Sequence, residues 1–382
     1  MKSEWKKYAL GEVCARLSSG KNISAKLLDS TAPYPVYGGN GIRGYTQTLN
    51  FSGECALVGR QGVYCGNVRY FKGDAYITEH ALVVQAKSEH NTRYLAYLLS
   101  LMQLGRLSAQ SAQPGISVRV LSVQEVVLPS LPTQRKIAAI LSSLDDKIEN
   151  NNAICKNLEE QLKCLFDLRF RDMIDSRGMS QYTPLASLCE RITKGTTPTT
   201  LGLPFVDEGI NFIKAESITD KHIFDWHRFA KIGPDTHTAL NRSQLSENDI
   251  LFSIAGTLGR FALVDKTILP ANTNQAVAII RADKNKVEPE YLYSFFLAGW
   301  HHEYCQKRVQ QAVQANLSLT TIKSMPIIML DEPARREYVA QISPIMQMIS
   351  QRQLENRSLA ILRDALLPKL MSGEIQPKTT SK

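Results

Sequence analysis

The chain has 382 residues and seven cysteines (Cys14, Cys55, Cys65, Cys155, Cys164, Cys189 and Cys305), and no two of them are spaced Cys-x-x-Cys. That pattern gives no thiolate metal knuckle, and an odd number is a poor disulfide framework, so reduced thiols filling core positions are expected. The seven histidines include no His-Glu-x-x-His pair and no cluster at metal-ligand spacing. There is no Gly-x-Ser-x-Gly nucleophile elbow, no Asn-Pro-Pro-aromatic motif of amino-methyltransferases and no Pro-Asp…Glu-x-Lys nuclease constellation. No catalytic site is therefore expected. No basic segment followed by an apolar stretch opens the sequence, and the longest apolar runs, near Tyr94–Leu104 and Tyr291–Trp300, are too short to span a bilayer. A cytoplasmic protein without membrane contact is the expectation. What remains is an ordinary globular composition, 43% hydrophobic and 21% charged, with a formal net charge of +9 that suits a polyanionic partner.

The chain is written twice. Arg16-Leu-Ser-Ser-Gly20 matches Arg191-Ile-Thr-Lys-Gly195, and Thr78-Glu-His-Ala-Leu-Val-Val84 matches Thr273-Asn-Gln-Ala-Val-Ala-Ile279. Tyr94-Leu95 pairs with Tyr291-Leu292, and Ile116-Ser-Val118 with Leu317-Ser-Leu319. From that last pair onward the offset stays at about 201 residues, through Pro132 and Pro333 and the heptad stretches behind them. Chance supplies one such pair easily, but not a series in one order.

Each copy begins with short β-rich runs between glycine turns: Tyr34–Tyr37, Cys55–Val58, Val68–Phe71 and Ala81–Val84 in the first, Ile250–Ile254 and Ala276–Ile280 in the second. Each then carries one helix, capped at Asn91-Thr92 or begun at Pro289. The fold class is therefore α+β, as two similar mixed domains. Behind each lies a long helix. Leu141, Leu144, Ile148, Asn151, Cys155, Leu158, Leu162 and Leu165 alternate steps of three and four, a coiled-coil seam with one polar layer. The counterpart seam, Ile342, Ile345, Ile349, Arg352, Asn356, Leu359, Arg363, Leu366 and Leu370, is weaker, and Pro344 should bend its early turns. Chain direction favours an antiparallel pair with approximate two-fold symmetry. Apolar residues off the seam, Leu362 and Leu367 among them, point to a further protein partner.

Gly39-Asn-Gly41-Ile-Arg-Gly44 has the letters of a dinucleotide fingerprint but no helix behind it, so it reads as a turn. Ser18-Ser-Gly20-Lys21 also reads as a turn, and Asp145-Asp146-Lys147 as solvated charge on a helix. The glycine turns carry polar residues suited to nucleic acid. The first copy offers Lys21, Arg43, Tyr45, Arg60, Gln61, Asn67 and Arg69; the second offers Lys194, Thr196, Thr197, Lys214, Arg260, Asn272, Asn274 and Gln275. Arg, Asn and Gln make paired contacts with base edges, Lys meets phosphate, and glycine lets backbone approach a duplex. Glutamine-rich tracts, Gln110–Gln113 and Gln306–Gln314, lie near each long helix.

Leu131-Pro-Thr-Gln-Arg-Lys-Ile137 with Leu141-Ser-Ser-Leu-Asp-Asp-Lys-Ile-Glu149 resembles the central region of type I restriction–modification specificity subunits. Arg363-Asp-Ala-Leu-Leu-Pro-Lys-Leu-Met-Ser-Gly-Glu-Ile375 resembles their C-terminal signature, and Tyr34–Gly41 and Val58–Gly62 resemble phrases of their target-recognition domains. The resemblance covers essentially the whole chain. It implies recognition domains at 1–131 and 176–332, spacer helices at 132–175 and 333–375, and a disordered tail at 376–382. It further implies a non-catalytic subunit in which each domain reads one half of a bipartite, asymmetric site on double-stranded DNA. The helices would set the gap and dock two modification subunits, and two restriction subunits can join. S-adenosylmethionine, Mg and ATP would belong to those partners, with no cofactor or metal in this chain. Two other classes compete: a self-contained methyltransferase or nuclease, which would bind S-adenosylmethionine alone, and a coiled-coil scaffold, which would show no salt-dependent DNA affinity.

Overall fold

The computed structural model describes residues 5–108, 115–176, 182–309 and 316–377, except the side chains of 176, 303 and 306–309. Two compact units divide the chain, Met1–Glu149 with Asn356–Lys382 and Asn150–Glu355. Each unit is a mixed α/β head joined to half of each long helix, so the internal repeat is present in three dimensions.

In the first head one sheet holds six strands in the order Cys14–Ser19, Ala81–Ala86, Phe51–Gly59, Val68–Ile77, Tyr34–Gly38 and Gly41–Thr46. All neighbours are antiparallel except Tyr34–Gly38 beside Val68–Ile77. The second head repeats the scheme in two pieces. Cys189–Lys194, Val277–Ala282, Ile250–Ser253 and Phe261–Leu263 form one sheet, and Ala230–Ile232, Ile210–Ile213 and Ala271–Thr273 form another, with the same single parallel pair. The long strand Val68–Ile77 serves two partners in the first head. Its counterpart is cut by residues 264–270, which is why the second sheet is split.

The repeat is in register one residue away from the alignment of Thr78–Val84 with Thr273–Ile279. Leu17 sits opposite Val84, and its counterpart Ile192 sits opposite Ile280, not Ile279. Burial agrees: Leu82 and Val84 share a core with the long helices, as Ala278 and Ile280 do, while Val83 and Ile279 face the other side. A one-residue slip exchanges the two faces of a strand. Both strands are buried on both faces, so the sequence is a continuous apolar run with no alternation to fix the register.

The short helices start where their caps place them. The Asn91 side chain accepts from the Tyr94 amide at 2.8 Å ahead of helix Thr92–Leu101, and Pro289 opens Pro289–Leu297. Ser117 and Ser318 cap the small helices Val118–Ser122 and Leu319–Lys323 in the same way. Strand Lys6–Ala9 closes on Glu125–Leu128, and Thr183–Pro184 closes on Pro326–Ile327, which brings each head's entrance to its exit.

The long helices are Leu131–Ser176 and Glu332–Met371. The second continues through Pro344 and ends four residues short of Ile375, where Gly373 adopts a left-handed φ of +76° that stops it. Within each unit the pairing is antiparallel. In the second, the Asn151 side-chain amide donates to Glu355 at 2.9 Å, and Cys155 meets the Ile349 carbonyl farther along. In the first, Arg363 donates to Asp145 at 2.9 Å while Leu366 and Leu370 lie against the core of Ile137 and Leu141. The polar seam positions Arg352 and Arg363 are thus paired, with Glu355 and Asp145.

The seam follows Leu141, Asn151, Cys155, Leu158 and Leu162, with Leu144 and Ile148 half-buried. Beyond that it departs from expectation: Phe166 and Phe170 are buried, and Leu165 only flanks the core. Two rings fill the space. Phe166 stands edge-on to Phe295 at 4.9 Å, and Phe170 edge-on to Tyr338 at 5.3 Å, so an i, i+4 aromatic pair displaces the leucine step. On the second helix Ile342 and Ile349 are buried, and Ile345 and Leu359 are half-buried. Leu362 is exposed, and Leu367, half-buried, packs partly on the first core.

Asp145 and Asp146 are not free surface charge. Asp145 accepts from Tyr97 and Arg363, and Asp146 pairs with Arg93 at 2.7 Å, tying the first head's helix to the long helices. A duplicated pin does the same at the helix starts. Buried Gln134 accepts from the Asn91 amide at 2.9 Å, and its counterpart Arg335 pairs with Glu288 at 2.8 Å. Both pins grip the residue that caps the head's helix.

Candidate nucleic-acid interface

Four turns meet at one edge of the first head's sheet, and glycine is what lets them touch. A Cβ on Gly20 would lie 2.3 Å from the Ile77 and Thr78 carbonyl oxygens, and one on Gly39 would lie 2.8 Å from the His80 oxygen. One on Gly59 would lie 2.3 Å from the Tyr64 oxygen. Backbone bonds fasten the same turns: Lys21 donates to Ile77 at 3.0 Å, and Arg60 to His80 at 2.9 Å. A small glycine-floored depression, lined by Tyr37, Gly38, Gly41, Asn67 and Arg69 among others, opens between them.

Of the candidate side chains, Asn67 and Arg69 line that depression. Arg43 and Arg69 are exposed, with Arg43 lying across Gly38 and the Arg69 guanidinium beside Gly41. Lys21, Gln61 and Asn67 are exposed, and Tyr45 is exposed on the same hairpin as Arg43. Arg60 differs. It is half-buried, and its guanidinium donates at 3.4 Å to Ser19 and 3.5 Å to the Glu79 carbonyl, so it also braces the turns. Gln61 shares a contact with His80 at 3.2 Å.

The second head builds the same edge. A Cβ on Gly195 would lie 1.9 Å from the Thr273 oxygen, repeating the squeeze at Gly20. Ile254 donates to Ala276 at 2.8 Å where Arg60 donates to His80, and Leu317 donates to Ile254 where Ile116 donates to Arg60. Arg60 and Arg260 are therefore not equivalent; Arg260 occupies the place of Asn67. Around this edge Lys194 and Gln275 are exposed, with Gln275 taking a hydrogen bond from Thr197. Thr196 accepts from Arg242 at 3.0 Å, an arginine that sequence reasoning missed because no glycine marks its turn.

Three candidates are more occupied than the sequence suggested. The Arg260 guanidinium donates to the Ile218 carbonyl at 3.0 Å. Asn274 caps its own turn by accepting from the Ala276 amide at 3.2 Å, and Lys214 lies over the Phe205 ring, 4.0 Å from Glu216. Asn272 is fully buried, held by Leu240, Ser243 and His237, and is part of the core. The tract Gln110–Gln113 lies outside the described residues, as does 310–314 of the other.

A cavity of about 340 Å³ lies elsewhere, between the second head and both helices. Burial raises the Glu159 carboxyl and lowers the His222 imidazole on its wall, and none of the candidate residues lines it. Among the described residues no group of three metal-ligating side chains converges, and no helix is long and apolar enough to cross a membrane. The chemistry on offer at both glycine edges is hydrogen bonding by arginine, lysine, asparagine and glutamine, with backbone able to come close.

This repeated arrangement has known counterparts. The family model for the type I restriction modification DNA specificity domain matches the chain twice, over residues 2–160 and 180–337, and the chain belongs to that family. The EcoprrI specificity subunit of Escherichia coli is 40% identical over 146 residues, which cover 37% of this chain and 36% of that subunit. The HindI specificity subunit of Haemophilus influenzae is 22% identical over an alignment of 471 positions, covering 98% of this chain and all of that one. The crystal structure of a type I system S subunit from M. genitalium shares the fold with a TM-score of 0.61, at 17% identity, over 99% of this chain and 97% of that one.

Proposed function

We propose that this chain selects the DNA sequence for a type I restriction–modification complex and has no catalytic activity of its own. Each head reads one half of an asymmetric, bipartite site on double-stranded DNA. The paired helices set the gap between the halves and dock two modification subunits, to which two restriction subunits can add. S-adenosylmethionine, Mg and ATP are carried by those partners, and the complex works in the cytoplasm.

The observation that carries this reading is the duplicated glycine edge. Matching backbone bonds hold it in both heads, yet the exposed side chains differ: Lys21, Arg43, Gln61 and Arg69 in one, Lys194 and Gln275, with the half-buried Thr196, in the other. One scaffold with two sets of polar readers suits two different half-sequences, because base edges specify while phosphate contacts only position. The helices supply the docking face through apolar residues left in solvent, Leu168, Met348, Ile361 and Leu362 among them.

The test is methylome sequencing of cells that express the chain with its modification partner. The expected motif has two unlike specified blocks separated by an unspecified gap. An uninterrupted motif contradicts the reading, as does S-adenosylmethionine binding by the chain alone.

A further inference from the structure

The loop 60–66 of the first head holds an apolar side chain out into solvent. Its base is closed by Gly66 donating to Gly59 at 2.8 Å, Asn67 to Tyr64 at 3.1 Å and Cys65 to Gly62 at 3.0 Å. Gly66 is pressed against the backbone of Gly105, where a Cβ would come within 2.1 Å, and Gln61 bridges to Gly115. The loop is thus fastened on both sides. At its tip Val63 is 96% exposed, and Tyr64 beside it is 50% exposed.

The counterpart loop in the second head closes at its base in the same way, with Gly259 donating to Ser253 at 3.0 Å, as Gly66 does to Gly59, and Ser253 to Arg260 at 2.7 Å, as Gly59 does to Asn67. Its tip is polar and folded back: the Thr257 hydroxyl donates to the Ala215 carbonyl at 3.3 Å, and Leu258 packs on the core. The second loop is one residue shorter, and the tips differ: an exposed valine and a half-exposed tyrosine stand against a tethered threonine and a packed leucine. The valine stands on the loop that carries the half-buried Arg60 and the exposed Gln61, and Gly39, on the turn that leads to Arg43, packs against Gly59 and Arg60. Polar donors read base edges, and the one apolar feature of the major groove is the 5-methyl group of thymine.

We propose that Val63 is a specificity-determining residue that reads a thymine methyl group in the half-site of the first head. This rests on the DNA-reading role given above. Covering one methyl group is worth about fourfold in affinity.

The test uses the full complex and duplexes carrying its motif, in which each thymine in turn is replaced by deoxyuridine. The wild type should lose about fourfold at one thymine, and Val63→Ser should bind the thymine and uracil duplexes equally there while keeping the rest of the motif. Because Val63 touches solvent alone, its melting temperature should be unchanged, and a Val63→Ile variant should keep the discrimination. The inference is overturned if no uracil position affects the wild type, if Val63→Ser keeps the discrimination, or if the first head's half-motif has no A·T pair. Loss of all sequence preference by the wild type refutes the DNA-reading role itself, and is distinguishable from those results.

Discussion

Arg43 and Arg69 differ from Arg60 and Arg260 in what they already hold. The first two are exposed beside glycine, whereas the guanidinium groups of the other two are engaged by carbonyl oxygens of their own head. On the proposed DNA-reading role, base readout falls to the exposed pair. Arg69→Ala should cost roughly 1–3 kcal/mol and relax one motif position, while Lys21→Ala should weaken all sequences alike and flatten the salt slope by about one. Binding titrations against salt and against single-base variants separate the two outcomes; an Arg69→Ala complex with unchanged selectivity makes that arginine structural.

Another residue-scale consequence concerns acid. His301 is buried against Phe261 and Phe296, and burial, with His302 and His222 nearby, pushes its imidazole down to about 3. An unfolded histidine titrates near about 6.5, so between these values the unfolded chain binds the extra proton. Stability from this group is complete above about pH 6.5 and falls as pH drops toward 3, by up to about 1.4 kcal/mol per pH unit. Urea unfolding between pH 5 and 8 should show this slope, and His301→Leu should reduce it. An unaltered slope assigns the acid sensitivity to other groups.

At the scale of elements, the long helices were the most legible part of the sequence. Sustained three-and-four spacing locates them to within a residue or a few, since a heptad seam has one solution over many turns. Sites were harder. The glycine turns were visible, but that Gly20, Gly39 and Gly59 meet at one edge depends on strand order, which local patterns do not encode. The strand repeat slipped by one because Ala81–Val84 is apolar on both faces, and Leu165 yielded to Phe166 and Phe170 because aromatic partners came from the second head. Leu367 shows the same limit: a surplus apolar residue that packs partly on the core of its own head. The proposed docking surface narrows accordingly to exposed positions such as Ile361 and Leu362. Replacing both with Asp should abolish methylation and complex assembly while leaving the melting temperature within a few degrees, because neither is buried. Recovery of an intact complex on size-exclusion chromatography would place docking elsewhere.

For the whole molecule, the proposed function makes the spacing between half-sites a property of the helices. Seven residues inserted after Asn152 keep the heptad seam and add about 10.5 Å of helix, close to three base pairs at about 3.4 Å each. Three pairs also turn the second half-site by roughly 100°, so activity should fall while the unspecified gap grows by about one to three pairs. An active insertion variant with an unchanged gap means the helices do not measure distance.

The division of labour between the heads is the central claim, and exchange of the first head is its most direct measurement. Residues 1–130 are replaced by the corresponding segment of another family member, the long helices are kept, and the methylome is sequenced with the modification partner present. One block of the motif should change to that of the donor, with the other block and the gap unaltered. If both blocks change together, or neither does, the heads do not each read one half.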